Sequence, residues 1–345
     1  MRGNQLVMST ATTVPPPCID VKQYYLNDHH NEMSALDRAI QPLLKQHGYV
    51  LLKGLESMTP EEMRCLMRCI AGEDGIMLKF NTGEYGSSCV SPEDFPEIRV
   101  LGKGVVDNNN ALLCDVGYEW HQDGGGSGPF LTLLYCKVPC KGADTIFADG
   151  EILFQRLSDS DKAIARSHTA IYSNEYTAGG PTALDVQYGL RMSPCGTRRI
   201  RPSSQRKEGW TPGRFTRPLV EKNAAVGGDD TERLLCGGKG LECIVGMEPN
   251  ESAQEVSRLL REALGPISEE GSLDDDLRTV GRTVFAPEAV YIHQWQAGEA
   301  ILWDNHRLLH TTVPIACYVG ESRLMWQIIC KTTNAPNQMK LKISN

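Results

Sequence analysis

The sequence predicts a mainly β protein with flanking helices, and three observations lead to this fold class. Short β-favouring runs begin near residue 98 and continue to residue 331, with turn signals between several of them. Few helical segments separate these runs, whereas a parallel doubly wound sheet requires a helix between successive strands. The remaining helical patterns lie in the N-terminal quarter. We therefore expect an antiparallel sandwich or barrel, supported by N-terminal helices.

The N-terminal quarter predicts two helices with one strand between them. Residues 33–47 carry apolar side chains at helical spacing, and Gly48 is the expected end of that helix. Residues 49–55 predict a short buried strand. Thr59 and Glu62 then form a capping box at the start of the second helix, with a proline in its first turn.

The β scaffold that follows is interrupted by two predicted helices. One is expected near residues 158–166 and the other at 252–264, where Ser252 and Glu255 form a second capping box. The predicted strands are IRVLG, FLTLLYCKV, DTIFAD, HTAIYS, AVYIHQWQ, EAILWD and RLMWQIICK.

The chain is predicted to form one domain, residues 21–345, with a leader and a long insertion. Residues 1–20 lack the apolar block of a signal peptide, and a disordered leader is favoured over an organelle transit segment. Residues 174–232 are dense in Pro, Gly, Ser and Arg and show little periodicity. We expect them to cross the scaffold as a lid or a mobile loop.

Charge and cysteine usage restrict the classes of partner. The net charge of −8 and the pI of about 5.6 do not favour a general nucleic-acid or anionic-membrane surface. No apolar run approaches the roughly 18–20 residues that a membrane span needs. The twelve cysteines are scattered without CxxC pairs or a secretory signal, so reduced thiols and a cytoplasmic location are expected. A small-molecule substrate is the expected partner, and the oligomeric state is left open, a homo-oligomer included.

A candidate metal site begins with His121 and Asp123, which stand two positions apart just before a glycine run. Alone, this pair fits either two metal ligands or a polar turn. Among the eight histidines of the chain, His293, His306 and His310 remain as candidates for a third ligand. They lie on late β segments, and one such strand can return beside the first.

The stretch 300–312, AILWDNHRLLHTT, followed by GESRLMWQIICK, resembles the distal half of a known enzyme family. This family is the Fe(II)/2-oxoglutarate dioxygenases of the taurine dioxygenase (TauD/TfdA-like, clavaminate synthase-like) type. Its pattern is Trp-Asp-Asn, a distal histidine and then an arginine. The segments WHQD and PCKGADTIFAD resemble the family's proximal half. The resemblance is sharp at 118–149 and 298–329, and the order and separation of these blocks make it specific.

The resemblance implies a distorted double-stranded β-helix, or jelly roll, with an iron centre. His121, Asp123 and His310 would hold Fe(II) on one face and leave positions for 2-oxoglutarate and O₂. Arg323 would bind the far carboxylate of 2-oxoglutarate through its planar guanidinium, and Thr145 would add a hydroxyl. His310 is favoured over His306 by the family spacing. Trp120, Asn305 and Gln327 are candidates for contacts with the substrate or with the ligands.

The implied reaction is that of an oxidoreductase. Oxidative decarboxylation of 2-oxoglutarate to succinate would be coupled to hydroxylation of a small organic substrate. Desaturation or cyclisation would use the same residues, and a non-catalytic jelly-roll protein that binds a ligand is the alternative from another class.

Departures from the family pattern argue against taurine as the substrate. Gln327 stands where taurine-specific members have a second arginine, and Arg217 and Glu221 replace the histidine and arginine of a His-Pro-Leu-Val-Arg stretch. The basic residues of the predicted insertion either attract an anionic substrate or form a solvated charged loop. They are Arg198, Arg199, Arg201, Arg206 and Arg214.

Overall fold

The architecture is mainly β, as the sequence predicts. The computed structural model describes residues 15–24, 29–72, 74–79, 92, 94–103, 120–123, 130–139, 144–173, 176–178, 198–200, 213–224, 230–238, 240–265, 286, 288–312 and 323–332. Most of the strands in these residues belong to two sheets that face each other, and helices cover the outer surface of each sheet.

The largest sheet has seven strands, and its centre consists of segments far apart in the chain. Its order is β1 (Cys18–Asp20), β2 (Tyr49–Lys53), β15 (Glu299–Asp304), β5 (Phe130–Val138), β17 (Arg323–Lys331) and β3 (Ile76–Met77), with β4 (Arg99–Lys103) also paired to β17. The predicted strands IRVLG, FLTLLYCKV, EAILWD and RLMWQIICK are thereby confirmed.

The predicted leader ends inside this sheet. Cys18–Asp20 pairs in parallel with β2, and a 3-10 turn at Val21–Tyr24 follows it. The predicted boundary at residue 20 is therefore wrong, because the chain has entered the sheet by residue 18. Residues 1–14 of the leader lie outside the described part of the chain.

The second sheet contains β14 (Tyr291–His293), β6 (Thr145–Asp149) and β16 (Leu308–Thr312), with β6 in the centre. Its inner face packs on the large sheet through Phe147 and Leu308, which contact an apolar cluster that includes Leu134, Ile301 and Met325. Full burial of one such side chain contributes roughly 1.5–3 kcal/mol. This apolar contact between the inner faces fixes the two sheets relative to each other.

Alternation along the strands gives the large sheet two different faces. Leu133, Leu302 and Ile328 pack outward in the apolar cluster formed with α1 (His29–His47) and α2 (Pro60–Ala71). On β17, Arg323 and Gln327 lie on the opposite, inward face of the sheet together with Met325. Both polar side chains are buried. Polar side chains are thus turned toward the second sheet at this point.

Among the described residues between β6 and β14 there are three helices: α3 (Gly150–Arg156), α4 (Asp159–Ser167) and α5 (Pro249–Leu264). The first and last pack on the outer face of the second sheet, and α4 confirms the helix expected near 158–166. In the described part of the chain, no helix is long and apolar enough to cross a membrane.

The start of α5 corrects a predicted cap. Glu248 occupies the N-cap and Pro249 the first helical position, so the helix begins before Ser252. Instead of capping through Glu255, the Ser252 hydroxyl donates to the Glu248 carbonyl at 2.8 Å and accepts the Ile244 N–H at 2.7 Å. Proline's fixed φ suits the first turn of a helix, and it outweighs the serine signal.

The predicted insertion, 174–232, contains strands where irregular structure was expected. The strand β10 (Arg214–Pro218) pairs with β7 (Thr169–Ser173), which also pairs with β13 (Leu241–Ile244). Two further antiparallel pairs join β8 (Tyr176–Ala178) to β9 (Arg198–Ile200), and β11 (Val220–Ala224) to β12 (Asp230–Leu234). The expectation of irregular structure is therefore wrong for residues 213–224, and the role of the insertion as a lid stays a prediction. Residues 179–197 and 201–212 lie outside the described part.

Candidate metal centre

His121 and His310 are brought together by backbone pairing. His121 forms an isolated antiparallel bridge with His310 on β16, with N···O distances of 3.0 and 2.9 Å. Their rings lie side by side, with centroids 4.1 Å apart. Residues about 190 positions apart in sequence are thus held as neighbours by backbone hydrogen bonds.

Asp123 completes a group of three buried side chains. Its Oδ1 lies 3.9 Å from His121 Nε2, and its Oδ2 lies 3.6 Å from His310 Nε2. One ligand atom from each of the three residues lies within 4.8 Å of the others, and each residue is 4–5% exposed. Two imidazole nitrogens and one carboxylate are the donor set that suits a non-haem Fe(II) centre with open positions. The three residues therefore fit a divalent iron ion.

The carboxylate of Asp123 is fixed by donors from the large sheet. Thr132 Oγ1 and Gln327 Nε2 donate to its Oδ2 at 3.0 and 3.1 Å, from β5 and β17 respectively. The Asp123 backbone N–H donates to Asn305 Oδ1 at 2.9 Å. Thr132 is absent from the sequence-based candidates, although a threonine in the apolar run FLTLLYCKV was a signal that could have found it.

Asn305 links three parts of the site. Its amide oxygen also accepts the indole N–H of Trp303 at 2.9 Å, and its Nδ2 donates to Thr132 Oγ1 at 2.8 Å. The Trp-Asp-Asn motif therefore has a structural role here: tryptophan and asparagine together hold the segment that carries Asp123.

Gln327 is itself oriented by an arginine on the neighbouring strand. Arg99 lies opposite Gln327 in the β4–β17 register, and its Nη1 donates to Gln327 Oε1 at 3.4 Å. The glutamine amide consequently presents its N–H group to Asp123. Gln327, which the sequence predicts to contact the substrate or a ligand, therefore donates a hydrogen bond to the ligand candidate Asp123.

Thr145 and Arg323 both lie on strand faces that line the space between the two sheets. Thr145 is fully buried and accepts a hydrogen bond from Trp295 Nε1 at 3.0 Å. Arg323 is 6% exposed, and its charge acts on the Cys136 thiol. Burial raises the pKa of Cys136 to about 12, and the Arg323 charge partly opposes this rise. Trp295 and Cys136 share one apolar cluster, which links the surroundings of Thr145 and Arg323.

The two remaining histidine candidates lie outside the group of three. The His293 ring is buried between the Tyr291 hydroxyl at 3.0 Å and the Glu299 carboxylate at 3.2 Å. His306 is partly exposed, and its Nε2 lies 2.8 Å from Glu221 Oε2. Both imidazoles are thus engaged by other partners.

Trp120 precedes the first histidine and is fully buried in the apolar cluster outside the second sheet. Its carbonyl accepts the Gly238 N–H at 2.8 Å. A Cβ at Gly237 would lie 2.9 Å from the Trp120 carbonyl oxygen and 3.0 Å from the His121 Cα. Glycine is required there because the two backbones pass in contact.

Comparisons with known proteins find a matching family and related dioxygenases. The family model of the taurine catabolism dioxygenase TauD, TfdA family matches residues 14–329. An (S)-phenoxypropionate/alpha-ketoglutarate-dioxygenase from Sphingobium herbicidovorans is 26% identical over 196 residues, which are 55% of this chain and 52% of that protein. The chain thus spans about half the length of that relative.

A second relative matches over a longer stretch, and a crystal structure supports the fold. The alpha-ketoglutarate-dependent xanthine dioxygenase of Emericella nidulans is 23% identical over 348 residues, covering 84% of this chain and 86% of that protein. The crystal structure of a taurine dioxygenase from Burkholderia xenovorans superposes with a TM-score of 0.54 at 16% identity, over 90% of this chain and 84% of that one. At this identity the likeness concerns the fold alone.

Proposed function

The chain belongs to the taurine catabolism dioxygenase TauD, TfdA family, and on that premise we propose that it is a 2-oxoglutarate-dependent dioxygenase that hydroxylates a small organic substrate. The observation that carries this proposal is the buried group of His121, Asp123 and His310. In the overall reaction, one substrate C–H bond becomes C–OH while 2-oxoglutarate becomes succinate and CO₂. One atom of O₂ enters the alcohol and the other enters succinate.

His121, Asp123 and His310 would hold Fe(II), which supplies the redox chemistry that activates dioxygen when bound. The protein's own residues orient the metal ligands and exclude water from the site. Thr132 and Gln327 restrain the carboxylate of Asp123 through its Oδ2. Burial of all three ligand candidates keeps bulk water from the reacting atoms.

Arg323 and Thr145 would hold the far carboxylate of 2-oxoglutarate. A guanidinium offers two parallel N–H donors to a carboxylate, and the low exposure of Arg323 strengthens such a contact. Because Trp295 donates to the Thr145 oxygen, the threonine's own proton is free to point at another acceptor. The two residues would thereby fix one end of the cosubstrate and direct its keto acid end toward the metal.

We also propose that the two facing sheets form a distorted double-stranded β-helix and that part of residues 174–232 covers the site. Taurine is not the proposed substrate, since Gln327 is occupied with Asp123 and carries no charge. We also propose an anionic substrate; among the basic residues of the insertion, Arg214 is exposed and paired with Glu242 at 2.9 Å.

The test is spectroscopic and requires no substrate. Anaerobic addition of Fe(II) and 2-oxoglutarate should produce a visible metal-to-ligand charge-transfer band that His310→Ala abolishes. Absence of the band in the wild type would contradict the proposed activity, and an unchanged band in the variant would contradict the assignment of His310 as a ligand. A screen for succinate release over sulfonates, amino acids, betaines, aryloxy acids and oxopurines would then identify the substrate class.

A further inference from the structure

We propose that Arg217 is a positioning residue for the metal centre, holding the segment of His121 and Asp123 against the turn that leads to His310. The identity of the metal rests on the proposed function, whereas the contacts do not. This role differs from the one that the sequence suggested, where Arg217 was only a departure from a family pattern.

Arg217 holds the first ligand segment through the residue between the two ligand candidates. Its Nη1 donates to Gln122 Oε1 at 2.7 Å. The backbone of this segment is already fixed at both ends, because His121 pairs with β16 and the Asp123 N–H donates to Asn305. The bond from Arg217 adds a side-chain restraint at the middle residue, between the two ligand candidates.

The other side of Arg217 reaches the second ligand segment. Its Nε donates to Glu221 Oε1 at 2.8 Å, and Glu221 Oε2 lies 2.8 Å from His306 Nε2. His306 is in the turn between β15 and β16, where its backbone N–H donates to Asp304 Oδ1 at 2.7 Å. This turn leads directly into the strand that carries His310. The chain of contacts therefore joins both ligand segments.

Burial makes these contacts strong and directional. Arg217 is 4% exposed, so its charge needs a partner that stays ionised. Burial raises the pKa of Glu221, but the hydrogen bond from His306 and the charge of Arg217 outweigh it and lower this pKa to about 2. The pair is consequently charged throughout the neutral range. The planar guanidinium donates in two directions at once, toward Gln122 and toward Glu221, which a lysine ammonium on a flexible stem would not reproduce.

The first test compares two arginines on the same strand. Arg217→Met should weaken Co²⁺ binding about tenfold or more, the size of effect found for residues that orient metal ligands. Affinity is measured by competition with a chelator of known affinity, using the visible absorption of bound Co²⁺. The matched control is Arg214→Met on β10: it breaks an exposed arginine–glutamate pair on the same strand, and its Co²⁺ affinity should equal that of the wild type.

A milder variant keeps the proposal testable if Arg217→Met fails to fold. Gln122→Met removes only the acceptor and keeps the length of the side chain, and it should also weaken Co²⁺ binding. If Arg217 and Gln122 act through their mutual bond, removing both should add nothing to the larger single effect. The double variant should then have the same Co²⁺ affinity as the single variant with the lower affinity. Fully additive losses would instead overturn the proposed connection.

Thermal unfolding separates a role in positioning from a role in stability alone. A lower apo-protein Tm in Arg217→Met or Gln122→Met, combined with wild-type Co²⁺ affinity in both, would refute the proposal. Failure of the positioning role can also be distinguished from failure of the proposed function. A wild type that shows no band with Fe(II) and 2-oxoglutarate contradicts the dioxygenase, while weaker Co²⁺ binding in Arg217→Met still supports the positioning role.

Discussion

At the residue scale, Asp123 shows how much a ligand depends on its neighbours. A carboxylate with one oxygen held by two donors has little freedom to rotate, and Thr132 supplies one of those donors from the large sheet. Thr132→Val keeps the shape but removes the hydroxyl, which also receives the Asn305 amide. We expect Co²⁺ affinity to fall by about 10–100-fold. The exposed Thr216→Val on β10 is the control, and equal affinities in the two variants would contradict this role.

Glu221 leads to a prediction about pH. Its pKa is lowered from 4.5 to about 2, so the ionised carboxylate stabilises the folded state at pH values above 4.5. This contribution is lost as the pH falls from about 4.5 through about 2, and the shift corresponds to roughly 3 kcal/mol. The difference in free energy of unfolding between wild type and Glu221→Gln should shrink as the pH falls through that acidic window. Denaturant unfolding at a series of pH values measures it; a difference that grows with acidity would show that another group is responsible.

At the element scale, the strand β6 carries Thr145, and the hydrogen bond from Trp295 to the hydroxyl oxygen leaves the threonine proton to donate to another acceptor. Trp295→Phe should therefore weaken 2-oxoglutarate binding about fivefold, the size expected for one lost neutral hydrogen bond of about 1 kcal/mol. Co²⁺ affinity should not change. Trp326→Phe is the control, because its ring packs on the opposite face of the large sheet.

The same experiment has an internal check. If Trp295 acts through the threonine hydroxyl, Trp295→Phe should have no further effect on 2-oxoglutarate affinity in a Thr145→Val background. The anaerobic charge-transfer band, titrated with 2-oxoglutarate, provides the measurement. An equal loss in both backgrounds would mean that the indole acts by packing rather than through Thr145.

Elements differ in how well their sequences predict them. The strand Phe130–Val138 is predicted to the residue because its apolar run needs burial wherever it lies. By contrast, Arg214–Pro218 and Val220–Ala224 are polar, and they form strands because distant β7 and β12 supply their partners. The candidate site divides in the same way. His121, Asp123 and His310 stand in a recognisable order along the chain, whereas Thr132 and Arg217 join the site only through tertiary contacts.

At the scale of the whole molecule, the candidate metal centre lies where the two sheets meet. His310 belongs to the second sheet and His121 is bridged to it, while Asp123 is held by side chains of β5 and β17 in the large sheet. A bound metal would thus connect both sheets. Its binding free energy would add directly to the stability of the fold, because the unfolded chain does not bring the three ligand candidates together.

Metal binding should consequently raise the Tm of the protein. Ligand at 100 times its Kd stabilises the folded state by about 2.7 kcal/mol, which corresponds to a shift of several degrees. Co²⁺ should produce this shift in the wild type, and a chelator should reverse it. His310→Ala removes the ligand from the second sheet and should abolish the shift even if the apo variant unfolds near the wild-type temperature. A shift of equal size in His310→Ala would place the metal elsewhere and leave the two sheets joined only by their apolar interface.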